Sequence, residues 1–479
     1  MLDQISFSSS DEVFSWLGQF VNMEQGSRPP SMRAERMEIM ARAAGNPEKS
    51  APAIHVAGSK GKGSVTAMAS AMLAEAGKCV ARYLSPHVVE YRERISLNND
   101  FFDESVYIRA GNNLRQVTEK ITNASSKEYE ALKTVSDGNP LPTFFELLTL
   151  YYFLCAKEAG ADALAVETGM GGRLDPTNIV QSLVSVITVI ELEHTDILGS
   201  TIEKIAREKA GIIKKNHPLI LAEQTHQDGR DALEVFVKRA REQNAKLYYF
   251  PDIVVLKNIS VTKNGTNWTL VDKTKEFFAL PLEFSIRLSG EIQAKNTSLA
   301  ALAVKKAFPD ISAETIQRAA ATVSLPARFE NISGLFADSK GTPPPVDIIV
   351  DGAHTALSVK LCVETWLSLY GEGGLLIFGC TEGKDSESMA RILLPYFSKI
   401  IITRPGTYKP SDPERIFAIF KSIAGQNSEK IEFIRDTESA VHYAIKTACE
   451  KKLPVLGTGS FYLAAEIRNY VGIGCNRAK

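Results

Sequence analysis

His55-Val-Ala-Gly-Ser-Lys-Gly-Lys-Gly-Ser64 sets three glycines and two lysines at the end of an apolar run. Gly58, Gly61 and Gly63 allow close approach of the backbone to an anion, with successive N–H groups aimed at it. Lys62 adds a full charge, and Ser59, Lys60 and Ser64 complete the loop. This is the chemistry of a triphosphate cradle. It departs from a strict Walker A loop: Val56 stands at the first glycine position, Gly63 follows the lysine, and the hydroxyl comes one residue late at Ser64. The plain alternative is a glycine-rich turn that binds nothing. The interleaved lysines, between a strand and a helix, argue against it.

A bound nucleotide calls for Mg²⁺, which takes hard oxygen ligands and keeps water. Glu167 ends an apolar run and precedes Thr168-Gly-Met-Gly-Gly172, the place for a metal carboxylate. His194 lies just past the next such run, in Glu191-Leu-Glu-His194-Thr-Asp196, where a solvated loop histidine is an equal alternative. Ser85, in Ser85-Pro86-His87, follows another strand end and reads as a loop cap or a metal ligand. Lys209, judged by helical spacing alone, reads as a solvated surface lysine. In the second half, Asp351-Gly-Ala-His354 repeats an acid and a histidine at a strand end. Arg328 stands at the junction between the halves; its planar fork of donors suits phosphate, with a junction salt bridge as the alternative.

The elements that must position these residues alternate. Apolar runs at 53–57, 79–85, 161–167, 183–190 and 218–223 read as strands, and 63–76, 143–160 and 201–214 as helices. Strands apolar throughout and separated by helices predict a mostly parallel sheet covered on both faces. Residues 121–140 are polar and read as an insertion or mobile connection. Asn264-Gly265 between alternating runs predicts a hairpin. After 323–330 and Pro343-Pro344-Pro345 a second cycle begins, with strands expected at 346–353, 374–379, 399–405, 429–436 and 453–460 and helices at 354–370 and 436–452. Two α/β lobes meeting near residues 322–330 would leave a cleft for ligands.

At 479 residues the chain exceeds one ordinary core. Its 55 basic and 56 acidic side chains give a net charge of −1 and no electrostatic case for nucleic acid or an anionic membrane. No apolar run is long enough to span a membrane, and MLDQISFSSSDEVF lacks a signal-peptide profile. The six cysteines show no CxxC spacing and read as thiols of a reducing compartment, so a cytoplasmic location is expected.

Taken together these motifs resemble the folylpolyglutamate synthase/dihydrofolate synthase family of the Mur ligase superfamily, from about residue 10 to the C-terminus. The resemblance rests on residues 35–48, HVAGSKGKGS, LSPHVVEYRERI, TFFELLTL, VETGMGGRLDPTNIV, HTDILGSTIEKIAREKAGIIK, QAKN, ARFE, DGAHT, Lys384-Asp385 and TGSFYLAAEIR. It implies an α/β fold, with a P-loop ATPase domain at 1–324 on a mostly parallel sheet and a smaller Rossmann-like domain at 325–479.

The resemblance also assigns roles. Gly58 to Ser64 with Lys62 would hold the ATP phosphates. Ser85 and Glu167 would ligate one Mg²⁺, and His194 with Glu167 would serve a second. Lys209 matches the family's carboxylated lysine. Asn296 would contact adenine, while Arg328, Asp351 and His354 would meet ATP from the second lobe. The folate pocket is expected around Ser85, Pro86 and His87. Departures are Ser59-Lys60 where the family often has Thr-Asn, Thr355 where Asn is common, and no histidine before Gln293. The implied reaction joins L-glutamate to the γ-carboxylate of a folate through an acyl phosphate, or to dihydropteroate in dihydrofolate synthases. A K⁺ requirement is left open, and a monomer without nucleic-acid or membrane partners is expected. A GTP switch lacks its guanine-reading Asn-Lys-x-Asp element here. A cell-wall Mur ligase would need a UDP-sugar domain before the loop, where only about fifty residues stand.

Overall fold

The computed structural model describes residues 6–22, 33–224, 229–336 and 344–476. The five expected strands appear as short, largely buried runs, β1 Ala53–Ala57, β2 Val80–Tyr83, β4 Ala163–Glu167, β5 Ser182–Ile187 and β6 Leu219–Leu221, and two that were not expected, β3 Ile95–Leu97 and β7 Leu247–Tyr249, join them. They form one sheet in the order β3-β2-β4-β1-β5-β6-β7. Every pairing is parallel except β2 with the edge strand β3. Helices cover it: the Lys62–Glu75 helix is apolar nearly all round, and Phe144–Glu158 is held at its start by a capping box between Thr143 and Glu146. Valine, isoleucine and alanine are buried on both faces of the sheet, which leaves it no solvated side and places the loops of interest at strand ends.

The strand order decides where those ends fall. β2, β4, β1 and β5 are consecutive neighbours, with Tyr83 opposite Val166, Val56 opposite Glu167 and Ala57 opposite Ile187. The segments leaving their carboxyl ends begin at Leu84, Thr168, Gly58 and Thr188, so four loops emerge side by side.

β8 Val254–Thr262 and β9 Gly265–Asp272 flank the turn that Asn264-Gly265 foretells, and β10 Leu282–Ile286 completes a three-stranded sheet ordered β10-β9-β8. The second cycle contains β11 Glu330–Asn331, β12 Ile348–Val350, β13 Gly374–Phe378, β14 Phe397–Ile402, β15 Ile431–Phe433 and β16 Val455–Thr458. Its sheet runs β11-β12-β16-β13-β14-β15, parallel apart from β11. The helices around it start on aspartate N-caps at Asp385, Asp412 and Asp436.

The chain divides into two compact units, Met1–Asn258 with Trp268–Ser285 and Lys295–Val323, and Ile259–Asn267 with Ile286–Ala294 and Ser324–Lys479. Each has its own apolar core; that of the second surrounds Trp366, Phe378 and Phe420.

One expectation needs correction. Residues 121–140 are not a structureless connection: they hold the end of the Glu104–Thr122 helix and a further helix, Lys127–Val135, capped by Ser126. Leu132 is its one buried residue, so its apolar stripe is too thin to read as periodicity. Pro343 of the proline run lies outside the described residues. No helix among those described is long and apolar enough to cross a membrane.

Candidate active site

The glycine loop leaves β1 with its shape imposed by the segment that follows β5. Ser59 and Lys60 N–H donate to the Val189 carbonyl at 2.9 and 3.4 Å, and Ser59 Oγ exchanges hydrogen bonds with the Glu191 backbone. Gly58 lies at φ +146, and a Cβ there would come 1.8 Å from Thr188 Oγ1. Gly61, at φ +88, has Asn296 Oδ1 2.5 Å from where its Cβ would stand, which places Asn296 against this loop. Gly61 is also the N-cap of the Lys62–Glu75 helix, and no side chain caps that end. The first-turn N–H groups of a helix have no partner within it, and here Lys62 stands among them. That uncapped, glycine-lined end fits the phosphates of a nucleotide.

Beside it, Glu167 ends β4 with 3% of its surface exposed and accepts the Ser85 N–H at 3.0 Å. Ser85 and Glu167 are thus brought together from neighbouring strand ends. Next along that loop, His87 Nδ1 accepts from Arg94 Nε at 2.8 Å, under the Tyr91 ring 4.4 Å away. The Glu93 carboxylate takes the N–H groups of Val88, Val89 and Glu90, which fixes the segment following Pro86.

The glycine loop after Glu167 is held by residues that the sequence did not single out. Buried Asp175 accepts the Met170 N–H at 2.8 Å and the Thr177 hydroxyl at 2.5 Å, and Thr177 Oγ1 lies 2.9 Å from Nε2 of fully buried His55. Burial pushes the Asp175 carboxyl up and His55 well down from their ordinary values. Gly172 packs on the end of the Ile202–Lys209 helix, where a Cβ would lie 2.9 Å from the Glu208 carbonyl.

Lys209 corrects the surface reading. Only 1% exposed, it donates to the Gly58 carbonyl and to Glu193 Oε1, both at 2.8 Å. Burial pushes its amine down in pKa, with Glu193 opposing. Burial pushes Glu193 the other way, yet Lys209, Lys62, Lys60 and His194 hold it well below the usual carboxylate range. Glu193, the neighbour of His194, is therefore the acid that pairs with Lys209, while Lys60 lies 3.8 Å from Glu191 Oε2. His194 itself adopts a left-handed backbone, φ +49, at the start of the Thr195–Leu198 turn of helix. Among the described residues no group of three or more His, Cys, Asp or Glu side chains is placed to hold a metal ion. A carboxylate with a serine hydroxyl suits Mg²⁺, which keeps waters and shares phosphate oxygens instead of filling a protein cage.

In the second unit, Arg328, Asp351 and His354 form one cluster. Asp351 follows β12; burial raises its carboxyl while Arg328 opposes. His354 Nδ1 lies 2.8 Å from the Gly352 carbonyl. The Arg328 guanidinium rests 4.3 Å above the Phe461 ring, and the His354 ring lies 5.8 Å from the same phenyl. Phe461 was legible only as part of a motif.

Residues 116–304 match the Mur ligase middle domain, and 336–461 the Mur ligase glutamate ligase domain. The dihydrofolate synthase/folylpolyglutamate synthase of Bacillus subtilis is 32% identical over 393 residues, 81% of this chain and 83% of that protein. This chain belongs to the folylpolyglutamate synthase/dihydrofolate synthase family. It is a Mur-type, ATP-dependent glutamate ligase. A Haloferax volcanii relative, a probable bifunctional folylpolyglutamate synthase/dihydropteroate synthase, is 32% identical over 434 residues. That match takes 88% of this chain, which spans about half (46%) of the archaeal protein. The crystal structure of Thermotoga maritima folylpolyglutamate synthase superposes with a TM-score of 0.77 at 26% identity, covering 97% of each chain. Such family likeness accounts for two mostly parallel sheets in one chain.

Proposed function

We propose that this ligase adds L-glutamate to the γ-carboxylate of a reduced folate, acting as a folylpolyglutamate synthase. The observation that carries the reading is the uncapped, glycine-lined helix start bearing Lys62, side by side with Glu167 and Ser85. Lys62 and the first-turn amides hold the triphosphate and draw charge off the transferring phosphoryl group. Ser85, Glu167 and His194 are the residues that would hold Mg²⁺, which when bound neutralises charge on the phosphate oxygens. The folate carboxylate attacks the γ-phosphorus, giving an acyl phosphate and ADP. The amine of glutamate then attacks the acyl carbon, and phosphate leaves. Arg328 supplies positive charge to ATP, with His354 beside it. The His87 loop, held by Arg94 and Glu93, is the proposed folate contact.

Lys209 is the proposed carboxylation site. Its neutral amine would attack carbon dioxide and release a proton, leaving a carbamate; burial favours the neutral amine. A carbamate carbon signal from enzyme equilibrated with ¹³C-bicarbonate, lost in Lys209→Met, is the expected result; its absence from active enzyme would refute the modification.

A second reading is favoured by the Bacillus subtilis relative, whose name joins both activities: ligation of glutamate to dihydropteroate. Phosphate release from Mg-ATP and L-glutamate separates the two. Release with tetrahydrofolate but not dihydropteroate is the expected result, and release with dihydropteroate establishes the second activity. Release with neither refutes both.

A further inference from the structure

Arg328 stands between two non-glycine residues with left-handed backbones, Ala327 at φ +54 and Phe329 at φ +47. Such conformations persist only where the surroundings impose them. Here two carboxylates do so. Phe329 N–H donates to Asp351 Oδ2 at 2.8 Å, and Ala327 N–H donates to Glu330 Oε2 at 2.9 Å. The Ala327 carbonyl accepts the Gly352 N–H at 2.9 Å, which ties the turn to the loop after β12. Asp351 Oδ1 takes the Ala353 N–H at 2.8 Å, so backbone groups engage both of its oxygens. Behind the turn, Arg468 binds Glu330 Oε1.

The side chain has its own supports: its Nη1 donates to the Ala327 carbonyl at 3.4 Å, and a ring lies against it. Phe461 lies under the guanidinium, and a Cβ on Gly352 would come 2.2 Å from the ring, so only glycine there leaves the phenyl its place. Stacking sets the plane of a guanidinium, and a set plane is what bidentate recognition of phosphate requires.

We propose that Phe461, Glu330 and Asp351 are positioning residues for Arg328, holding its fork in one orientation for phosphoryl transfer. This rests on the reading of Arg328 as an ATP-binding residue.

The test is a double-mutant cycle with full kinetics on the whole chain. Arg328→Ala is expected to lower kcat/KM for ATP. Wild-type turnover in that variant would overturn the reading of Arg328 and the inference with it. Phe461→Leu, which removes the ring face, is expected to lower kcat/KM for ATP by about tenfold to a hundredfold and leave KM for folate within about twofold. Phe461→Tyr, which keeps the face, is expected to recover most of the loss. Combined with Arg328→Ala, Phe461→Leu is expected to add nothing further. Additive losses, or equal effects on both substrates, would show that Phe461 acts on the fold alone. Should Phe461→Leu fold poorly, Glu330→Gln decides by the same cycle: a loss confined to ATP and absent without Arg328 supports positioning, and additivity overturns it.

Discussion

With its amine unmodified, Lys209 makes a largely buried ion pair with Glu193, sixteen positions apart in sequence. A carboxylate left in the protein interior without its cation is strongly disfavoured, and removing one partner of such a pair costs about 3–5 kcal/mol. Lys209→Met and Glu193→Gln are therefore each expected to destabilise the protein by about that amount, by urea unfolding in carbon dioxide-free buffer. The double variant is expected to lose less than the sum, since it leaves no unpaired charge. Full additivity would mean that the two groups do not depend on each other. Lys209 stood out in the sequence only through a motif, because one charged residue on a helix reads as solvated. What buries it, the Gly58 carbonyl and the packing of Gly172 on Glu208, comes from segments far along the chain. Glu193 carried no signal beyond its place beside His194. Glu167, Ser85 and the glycine loop were legible for the opposite reason: each ends an apolar run, and a parallel sheet collects such ends on one side.

Elements that bury both faces announced themselves, and thin or exposed ones did not. The five apolar strands expected in the first sheet emerge within a few residues of their expected places. β3, β7 and β11 are short edge strands only partly buried, without the continuous apolar run that marks β6 or β12, and the Lys127–Val135 helix buries a single leucine. The polar relay inside the first sheet was invisible as well. His55 reads as the first letter of a loop motif, yet its side chain lies within β1 against Thr177, which in turn donates to Asp175. With Thr177 donating to the carboxylate, His55 must donate from Nε2, and full burial disfavours its charged form. Its folded pKa is depressed below the ordinary 6.5 by burial and by Lys214. The unfolded chain therefore binds a proton that the folded one refuses. Stability is full above about pH 6.5 and declines as the pH falls below it, by up to about 1.4 kcal/mol per unit from this group. Urea midpoints between pH 7 and 5 are expected to fall more steeply for wild type than for His55→Asn; parallel slopes would mean that His55 titrates alike in both states.

At the scale of the whole chain the charges nearly cancel, 55 against 56. Steering by net charge is thus negligible, and nucleotide affinity must come from local geometry: an uncapped helix end, glycines that cannot be replaced, and Lys62. A ligand bound only by the folded chain stabilises it by mass action, about 2.7 kcal/mol at a hundred times its dissociation constant. A non-hydrolysable ATP analogue with Mg²⁺ is therefore expected to raise the Tm of wild type by several degrees. Lys62→Ala, which sits in the half-exposed first turn and leaves every backbone hydrogen bond in place, is expected to keep the ligand-free Tm and lose most of that increment. Gly61→Ala tests the same site through shape: a methyl group there meets the Asn296 side chain and demands a left-handed backbone, so both the ligand-free Tm and the increment are expected to drop. An undiminished increment in Lys62→Ala would place the triphosphate somewhere other than this loop, whatever the family likeness of the chain.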